Sequence, residues 1–446
     1  MRKLWATFFI LLCVLAHIPG GQPASAAQGF SYTGSFDLDA FLMEFTEQHP
    51  DRSGKEESSP AALYLAQKFF ELGYSEAGLA EAEAPEDYLE PFSFNYYGST
   101  YKSSNVVAVK RASGDSRGAV IIGAHYDNVY SFELLNPYTN LRHKILSKGA
   151  YDNGSGVAVM MSVAHNIKDE QLPFDVIFVA FGAEELGLYG SRHYVNTMSE
   201  RDKQNVLLMI NLDCIAAGDY LYLFSKDWNT PHDGWLRERA GELSIPLRAL
   251  PLNKKFMHDL LGEGYYSHYG YMSDNYYFLK ENINTAFFMS MNWESTRKAG
   301  VVESDFHNDI MHTHNDDYRT IKELYPDSYL LYMQYVSELI SYSLKRQDFA
   351  DAMTYSRQNT LNPAFIMEEK NLKIMGLSVW LALVVICYFY YGKLRKRAAV
   401  AIKEHLTKAK PVDVFEELSQ KMPKGFSVFG SEFENDKDDE DDDREK

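Results

Sequence analysis

The chain has 446 residues, enough for one large domain or two ordinary ones, and 46% of them are apolar, ample for a buried core. A formal charge of −18 excludes a general nucleic-acid binder, and much of it sits in an acidic terminal stretch, 432–446, with the look of a solvated tail. Of the three cysteines only Cys214 lies outside the two apolar end segments, so no disulfide within the main domain is available and stability must come from the core or from bound metal.

Residues 1–27 start with Arg2 and Lys3, continue through an apolar run over 4–15 and end in Ala24-Ser25-Ala26-Ala27, the pattern of a secretory signal peptide. Helices are expected over 36–49 and 60–72, the second stopped by Gly73, with an acidic, proline-containing loop over 77–93. Strands are expected over 105–110, 119–124, 174–181, 206–212 and 286–289. Helices are expected over 157–167, from 184 to 197, and over 328–344. Strands alternating with helices define an α/β domain, residues 28–350, with a central, mostly parallel mixed sheet covered by helices on both faces. After a juxtamembrane linker, 351–373, comes a stretch, 374–392, without charge between Lys373 and Lys393, followed at once by Lys393, Arg395, Lys396 and Arg397. That length and that basic cluster predict one transmembrane helix with the domain outside and a basic-then-acidic tail, 393–446, in the cytoplasm.

The chemistry-bearing residues fall at the ends of the buried runs. His125-Tyr126-Asp127 closes 119–124, Glu184-Glu185 follows 174–181, and Asp213 closes 206–212. Asp152-Asn153 precedes a helix, and His312-Thr313 lies in a polar loop near Asp316. Open α/β sheets place their sites at the carboxyl ends of strands, so these clusters converge on one rim. Carboxylates crowded there raise one another's pKa and lose solvation. Two divalent cations relieve that cost, and imidazole with carboxylate suits zinc. Adjacent Glu184 and Glu185 at a strand-to-helix turn can point apart, one on metal and the other free as a proton acceptor.

The ordered segments GAHYDN (123–128), GAYDNGSG (149–156), FVAFGAEELGLYGSRHYV (178–195), INLDCIAAGD (210–219), SDNYYF (273–278) and HTHNDD (312–317) resemble the zinc-dependent exopeptidases of peptidase clan MH, and within it the bacterial aminopeptidases, over about residues 40–345. The resemblance implies a zinc-exopeptidase-like fold and an enzyme that hydrolyses the N-terminal bond of peptides. It implies two zinc ions, with His125 and Asp213 on one, Glu185 and His312 on the other, and Asp152 bridging. Glu184 is then the general base, and Asp127 a support that accepts a hydrogen bond from the far nitrogen of His125. His314 competes with His312 as a ligand, but the family's His-Thr-x-x-Asp spacing favours His312. Two positions depart from the family's pattern: Asn275 stands where relatives carry histidine, and Met311 where many carry tyrosine. A single-zinc glutaminyl cyclase, a carboxypeptidase and a non-enzymatic receptor-like ectodomain are the competing readings. The expected partners are peptide substrates and a membrane, with no nucleic acid.

Overall fold

A computed structural model describes residues 29–77, 81–135, 142–225, 230–249, 273–294, 304, 307, 309–360 and the four positions Tyr390, Tyr391, Arg397 and Val400. The side chains of 131–145 are not among those described. The expected leader lies outside this set, as do the expected membrane span, apart from Tyr390 and Tyr391, and nearly all of the tail.

Two helices open the fold. α1 (Leu38–Gln48) is capped by Asp37, whose side chain accepts from the Ala40 amide, and α2 (Pro60–Leu72) starts on Ser59 with Pro60 in its first turn. Gly73 closes α2 at φ 71°, a left-handed position that costs glycine nothing. The strands then follow: β1 (Leu89–Tyr96), β2 (Ser99–Lys110), β3 (Ala119–His125), the hairpin β4 (Ser131–Leu135) and β5 (Arg142–Leu146), β6 (Asp175–Phe181), β7 (Val206–Leu212), β8 (Tyr220–Phe224) and β9 (Thr285–Met291). Between and after them run α3 (Ser155–Ile167), α4 (Tyr189–Thr197), α5 (Glu200–Asn205), α6 (Pro231–Glu242), α7 (Asn275–Lys280), α8 (Tyr318–Leu324), α9 (Tyr329–Leu344) and α10 (Phe349–Thr360).

Among the described residues, seven strands form one sheet in the order β1-β2-β6-β3-β7-β9-β8. The inner four, β6, β3, β7 and β9, are parallel, and the antiparallel pairs β1–β2, β2–β6 and β9–β8 flank them. Inner strands covered on both faces read as continuous apolar runs: every residue of β7 and of β9 is buried. One face carries α3, sandwiched between the sheet and the outer helices α1 and α9. Almost every α3 side chain is therefore buried, and the helix is apolar nearly all round. The other face is closed by Tyr194 and Val195 of α4 and Phe278 of α7 over Val107, Ile121, Val179 and Met209.

Three expectations need correction. The end of the segment expected as a loop over 77–93 is the beginning of β1, an edge strand whose Glu90 and Pro91 hide its pattern and whose faces alternate between buried and exposed. The helix expected from 184 begins only at Tyr189, because Ala183 and Leu188 adopt left-handed backbone at φ 58° and 57° and make 184–188 a turn. The folded domain also runs past 350: Phe349, Ala350, Met353 and Ser356 of α10 are buried, and the helix packs on α6 and β7.

Long-range polar contacts close the fold. The Thr33 amide and hydroxyl both donate to the Glu338 carboxylate of α9, at 2.9 and 2.8 Å. Asp39 of α1 accepts from Tyr318, Tyr329 and Lys322, each at 2.8 Å. Burial alone would raise the pKa of Asp39, but these three donors outweigh it and hold the group below its ordinary value. Asp39→Asn is therefore expected to lose about 1 kcal/mol at neutral pH. Because the shift is downward, the gap to wild type is complete above the ordinary carboxylate value of ~3.9 and closes as pH falls through the lower folded value. Urea unfolding of both proteins from pH 7 to pH 3 reads it directly.

Candidate metal centre

Five loops at the carboxyl ends of the parallel strands supply the site. β3 ends in His125, β7 is followed by Asp213, and the turn after β6 holds Glu184 and Glu185. Asp152 sits in the irregular turn Ala150–Gly154 ahead of α3, and His312 in the loop before α8. Ala183, Leu188, Cys214 and His312 have φ between 57° and 58°, so four of the seven left-handed non-glycine residues described lie on these loops. Such backbone persists where surrounding contacts over-determine it, and it clusters at functional sites.

The side chains form two sets of three donors that share one carboxylate. His125 Nε2 lies 3.2 Å from Asp152 Oδ1 and 3.4 Å from Asp213 Oδ1. His312 Nε2 lies 3.0 Å from Asp152 Oδ2 and 3.1 Å from both Glu185 oxygens. Each imidazole thus faces two carboxylates through a single nitrogen, more acceptors than one N–H can serve. Donors on a tetrahedral zinc ion at ~2.0–2.1 Å are about 3.3 Å apart, the spacing seen here. Asp213 Oδ1 is buried and makes no well-formed hydrogen bond, with His125 Nε2 facing it at 3.4 Å, a costly state that a cation relieves. The donor set fits a pair of divalent cations.

A second layer fixes these loops. Asp127, fully buried, accepts the Glu184 amide on Oδ1 at 3.0 Å and the Glu185 amide on Oδ2 at 3.1 Å. It was expected to orient His125 with its carboxylate. His125 Nδ1 is 3.2 Å from the Asp127 backbone carbonyl and 3.7 Å from Oδ1, so the main chain is the nearer partner and the carboxylate the farther one. Asp316 does the same for the other loop, accepting the Tyr151 amide at 2.6 Å and the Asp152 amide at 3.3 Å. Asn153 donates to the Leu212 carbonyl and accepts from the Gly156 and Cys214 amides, joining the Asp152 turn to the end of β7. That approach demands glycine at 156, where a Cβ would lie 2.4 Å from the Leu212 carbonyl oxygen.

Arg52 was not singled out from sequence. Its guanidinium is wholly enclosed and donates to the carbonyls of His49, Tyr126, Lys148 and Gly149, tying the loop after β3 to the one before Asp152. Burial lowers its pKa to about 10, against the pull of Asp316, Asp127 and Asp152. It still carries its charge at neutral pH and offsets part of the acidic cluster.

The electrostatics are those of crowded, desolvated acids. Burial, then Asp152, raises Glu185 to about 7 against the opposing pull of His312. Burial, with Asp152, raises Asp316 to about 8. Burial would lower His312, but Glu185 and Asp152 carry it up to about 12. His125 is raised in the same way by Glu184 and Asp213. Asp152 is driven well below the carboxylate range: both histidines donate to it, and this outweighs its burial. The pocket favours positive charge at both imidazoles, the requirement that two cations meet.

Among the other residues weighed from sequence, His314 is exposed, and Asn275 is buried beside Ser273, whose hydroxyl accepts from Asn211. Met311 packs on the main core. His193 stacks on Phe92, His165 packs at a tilt against Phe36, and His307 meets Tyr325 edge-on. Tyr265, Tyr266, Tyr269 and Tyr271 lie outside the described residues.

A sheet rim with this donor set defines a metal-centre α/β domain. The sequence profile of peptidase family M28 matches residues 105–333, which hold every residue of the two donor sets, and the chain belongs to that family. It is similar to Aminopeptidase YwaD of Bacillus subtilis, 36% identical over 157 residues covering 34% of this chain and 31% of that protein. It is also similar to the alkaline phosphatase isozyme conversion protein of Escherichia coli, 34% identical over 128 residues covering 29% of this chain and 36% of that protein. The matched segment thus spans about a third of the length of these curated relatives. A solved Zn-dependent exopeptidase from Parabacteroides distasonis superposes on 72% of this chain and all of its own, with 15% identity and a TM-score of 0.49.

Asp127→Asn tests the second layer. Asparagine offers one acceptor where two amides need one each, so the glutamate turn loosens. Affinity for divalent metal is expected to fall about 10–100-fold, read by competition with a chromophoric chelator. Unchanged affinity would remove Asp127 from the support of the site.

Proposed function

We propose that the chain is a metallo-aminopeptidase that removes the first residue from peptides at a two-zinc centre. His125 and Asp213 hold one ion, His312 and Glu185 the other, and Asp152 bridges them. The observation that carries this reading is Asp152 itself, with each carboxylate oxygen set against a different histidine. Imidazole with carboxylate is a zinc donor set. Bound there, the ions supply Lewis acidity that acidifies water and polarises the scissile carbonyl.

The chain's own residues do the rest. The Glu184 amide is held by Asp127, which fixes the backbone, and a Glu184 carboxylate oxygen lies within 4.8 Å of ligand atoms of His125 and Asp213, at the edge of the first donor set. Burial, reinforced by Glu185, Asp274 and Asp213 against His125, raises its proton affinity. A carboxylate so tuned takes a proton from the attacking water and passes it to the leaving amine. Removal from the amino end is supported by the name of the Bacillus subtilis relative.

The test is hydrolysis of a panel of aminoacyl-anilides by the full-length chain, before and after chelation and zinc readdition. Glu184→Gln is expected to lower kcat/KM by about 10²–10⁴ while zinc content stays at two per chain. Release of no amino acid from any anilide by the zinc-loaded wild type would sink the reading. One zinc per chain with cyclisation of N-terminal glutamine would replace it with a cyclase.

We also propose that residues 374–392 anchor the domain on the outer side of a membrane. The support is the uncharged stretch and the basic cluster after it. Among the described residues no helix is long and apolar enough to cross a membrane, and 374–389 lie outside them. Alkaline carbonate washing is expected to leave the chain in the membrane fraction, and its release into the supernatant would refute the anchor.

A further inference from the structure

One piece of the fold rises past the carboxyl rim, and the proposed mechanism does not use it. β2 pairs with β6 from Lys110 up to Val106, which lies opposite Ala180, one residue short of the end of β6. The rest of the β1–β2 hairpin therefore continues beyond the carboxyl ends of the parallel strands. It runs from Val106 out to Ser99, about 20 Å at ~3.3 Å per residue. A two-residue turn, Tyr97 and Gly98, closes it with both residues at positive φ, 46° and 81°.

The aromatic face of this hairpin meets the glutamate turn. Phe92 and Phe94 are buried against Ala183, and Leu186 and Tyr189 pack on them. Phe94 stacks on Tyr189 at 4.4 Å and on Tyr101 at 6.0 Å, and the Tyr189 hydroxyl donates to the Asn95 carbonyl at 2.8 Å. The rings thus run without a break from the turn that carries Glu184 and Glu185 out to half-buried Tyr101 and Tyr96.

Lys55 stands on these rings. Its loop is pressed against the site: a Cβ at Gly54 would lie 2.9 Å from the Ala183 backbone and 3.1 Å from Asp127 Oδ2, and Gly54 has φ 67°. One residue on, exposed Lys55 holds Nζ 5.5 Å from the Tyr101 ring centroid and 5.6 Å from that of Tyr96. Among the described residues it makes no ion pair, whereas Lys102 on the same hairpin is taken by Glu57 at 2.7 Å. In a chain of net charge −18, an ammonium seated on ring faces instead of on an acid keeps its charge and its N–H donors for a ligand.

We propose that Lys55, on Tyr96 and Tyr101, receives a carboxylate of the peptide substrate downstream of the bond to be cut. That carboxylate is the terminal one of a short peptide or an acidic side chain of a longer one. The inference rests on the aminopeptidase reading above. A peptide whose amino end enters the rim lays its remaining residues over what adjoins the rim, and the hairpin adjoins it through the glutamate turn. The ring faces take apolar and planar groups, and the ammonium attracts the charge that the acids repel. Amine toward the rim and carboxylate toward Lys55 give the bound peptide its polarity.

The experiment uses the full-length, zinc-loaded chain at low salt. It compares Leu-Gly-Gly with its amide, and amide-blocked Leu-Gly-Glu-Gly with amide-blocked Leu-Gly-Gln-Gly. Hydrolysis of leucyl-anilide, which offers no carboxylate, shows that each variant is folded and loaded. The wild type is expected to favour the charged member of at least one pair by about threefold to fivefold in KM, with kcat changed by less than about twofold. Lys55→Met should abolish that preference, Lys55→Arg should keep it, and about 0.5 M salt should shrink it. Preference within the first pair assigns the terminal carboxylate, and within the second an acidic side chain. Equal KM within both pairs in the wild type, or a preference that survives Lys55→Met, would overturn the proposal and leave the aminopeptidase reading standing. No hydrolysis of anilide or peptide would overturn both.

Discussion

Everything at the carboxyl rim of this sheet answers one constraint: carboxylates buried side by side repel, and the protein must hold them together anyway. Asp127, Asp152, Asp213 and Asp316 are all at most 6% exposed. No lysine or arginine pairs with any of these four in the ion pairs described. The restraint comes from backbone amides and from Arg52. Asp127 and Asp316 each accept two consecutive amides, which anchors one carboxylate and at the same time fixes the loop that carries another. Arg52 adds a buried charge but spends its donors on carbonyls, so it orders the loops without neutralising any single acid. The remaining charge is what a pair of cations would satisfy, and it is why the histidines are pulled toward protonation.

The same division explains what was legible in the sequence. β3, β6, β7 and β9 are covered on both faces, and burial leaves a continuous apolar run that any reader can find. The donors stand out because acids and histidines directly after such runs are expensive unless they have work to do. Arg52 left no such mark. Its partners are four main-chain carbonyls, which are present at every residue and carry no sequence signal. β1 and β8 were missed for a related reason. They are the sheet's edges, where alternation is diluted by Glu90 and Pro91 or where the run is only five residues long. The glutamate turn reads as a helix start because acids favour that position, yet left-handed Ala183 and Leu188 hold it out of the helix.

The support of Asp127 shows how a role can be anticipated while its geometry is not. A carboxylate two residues beyond a histidine is a natural partner for that histidine's far nitrogen. Here the peptide carbonyl of the same residue is the nearer partner of that nitrogen, and the carboxylate also grips the opposite loop. One residue thereby couples β3 to the turn after β6, so a change at either strand end is felt at both donor sets.

The clasp between Thr33 and Glu338 bears on how the chain can be made. Its partners are 305 positions apart, and within that span Asp39 reaches Tyr329 across 290 positions. A ribosome adding about 5–20 residues per second needs roughly 15–60 s between delivering the first partner and the second. Until α9 is delivered α1 lacks the helix that closes it, and α3, once made, has only one of its two outer covers. Folding of this domain is therefore a late event in its synthesis, and the apolar surface of α3 is the part most in need of shelter until α9 arrives.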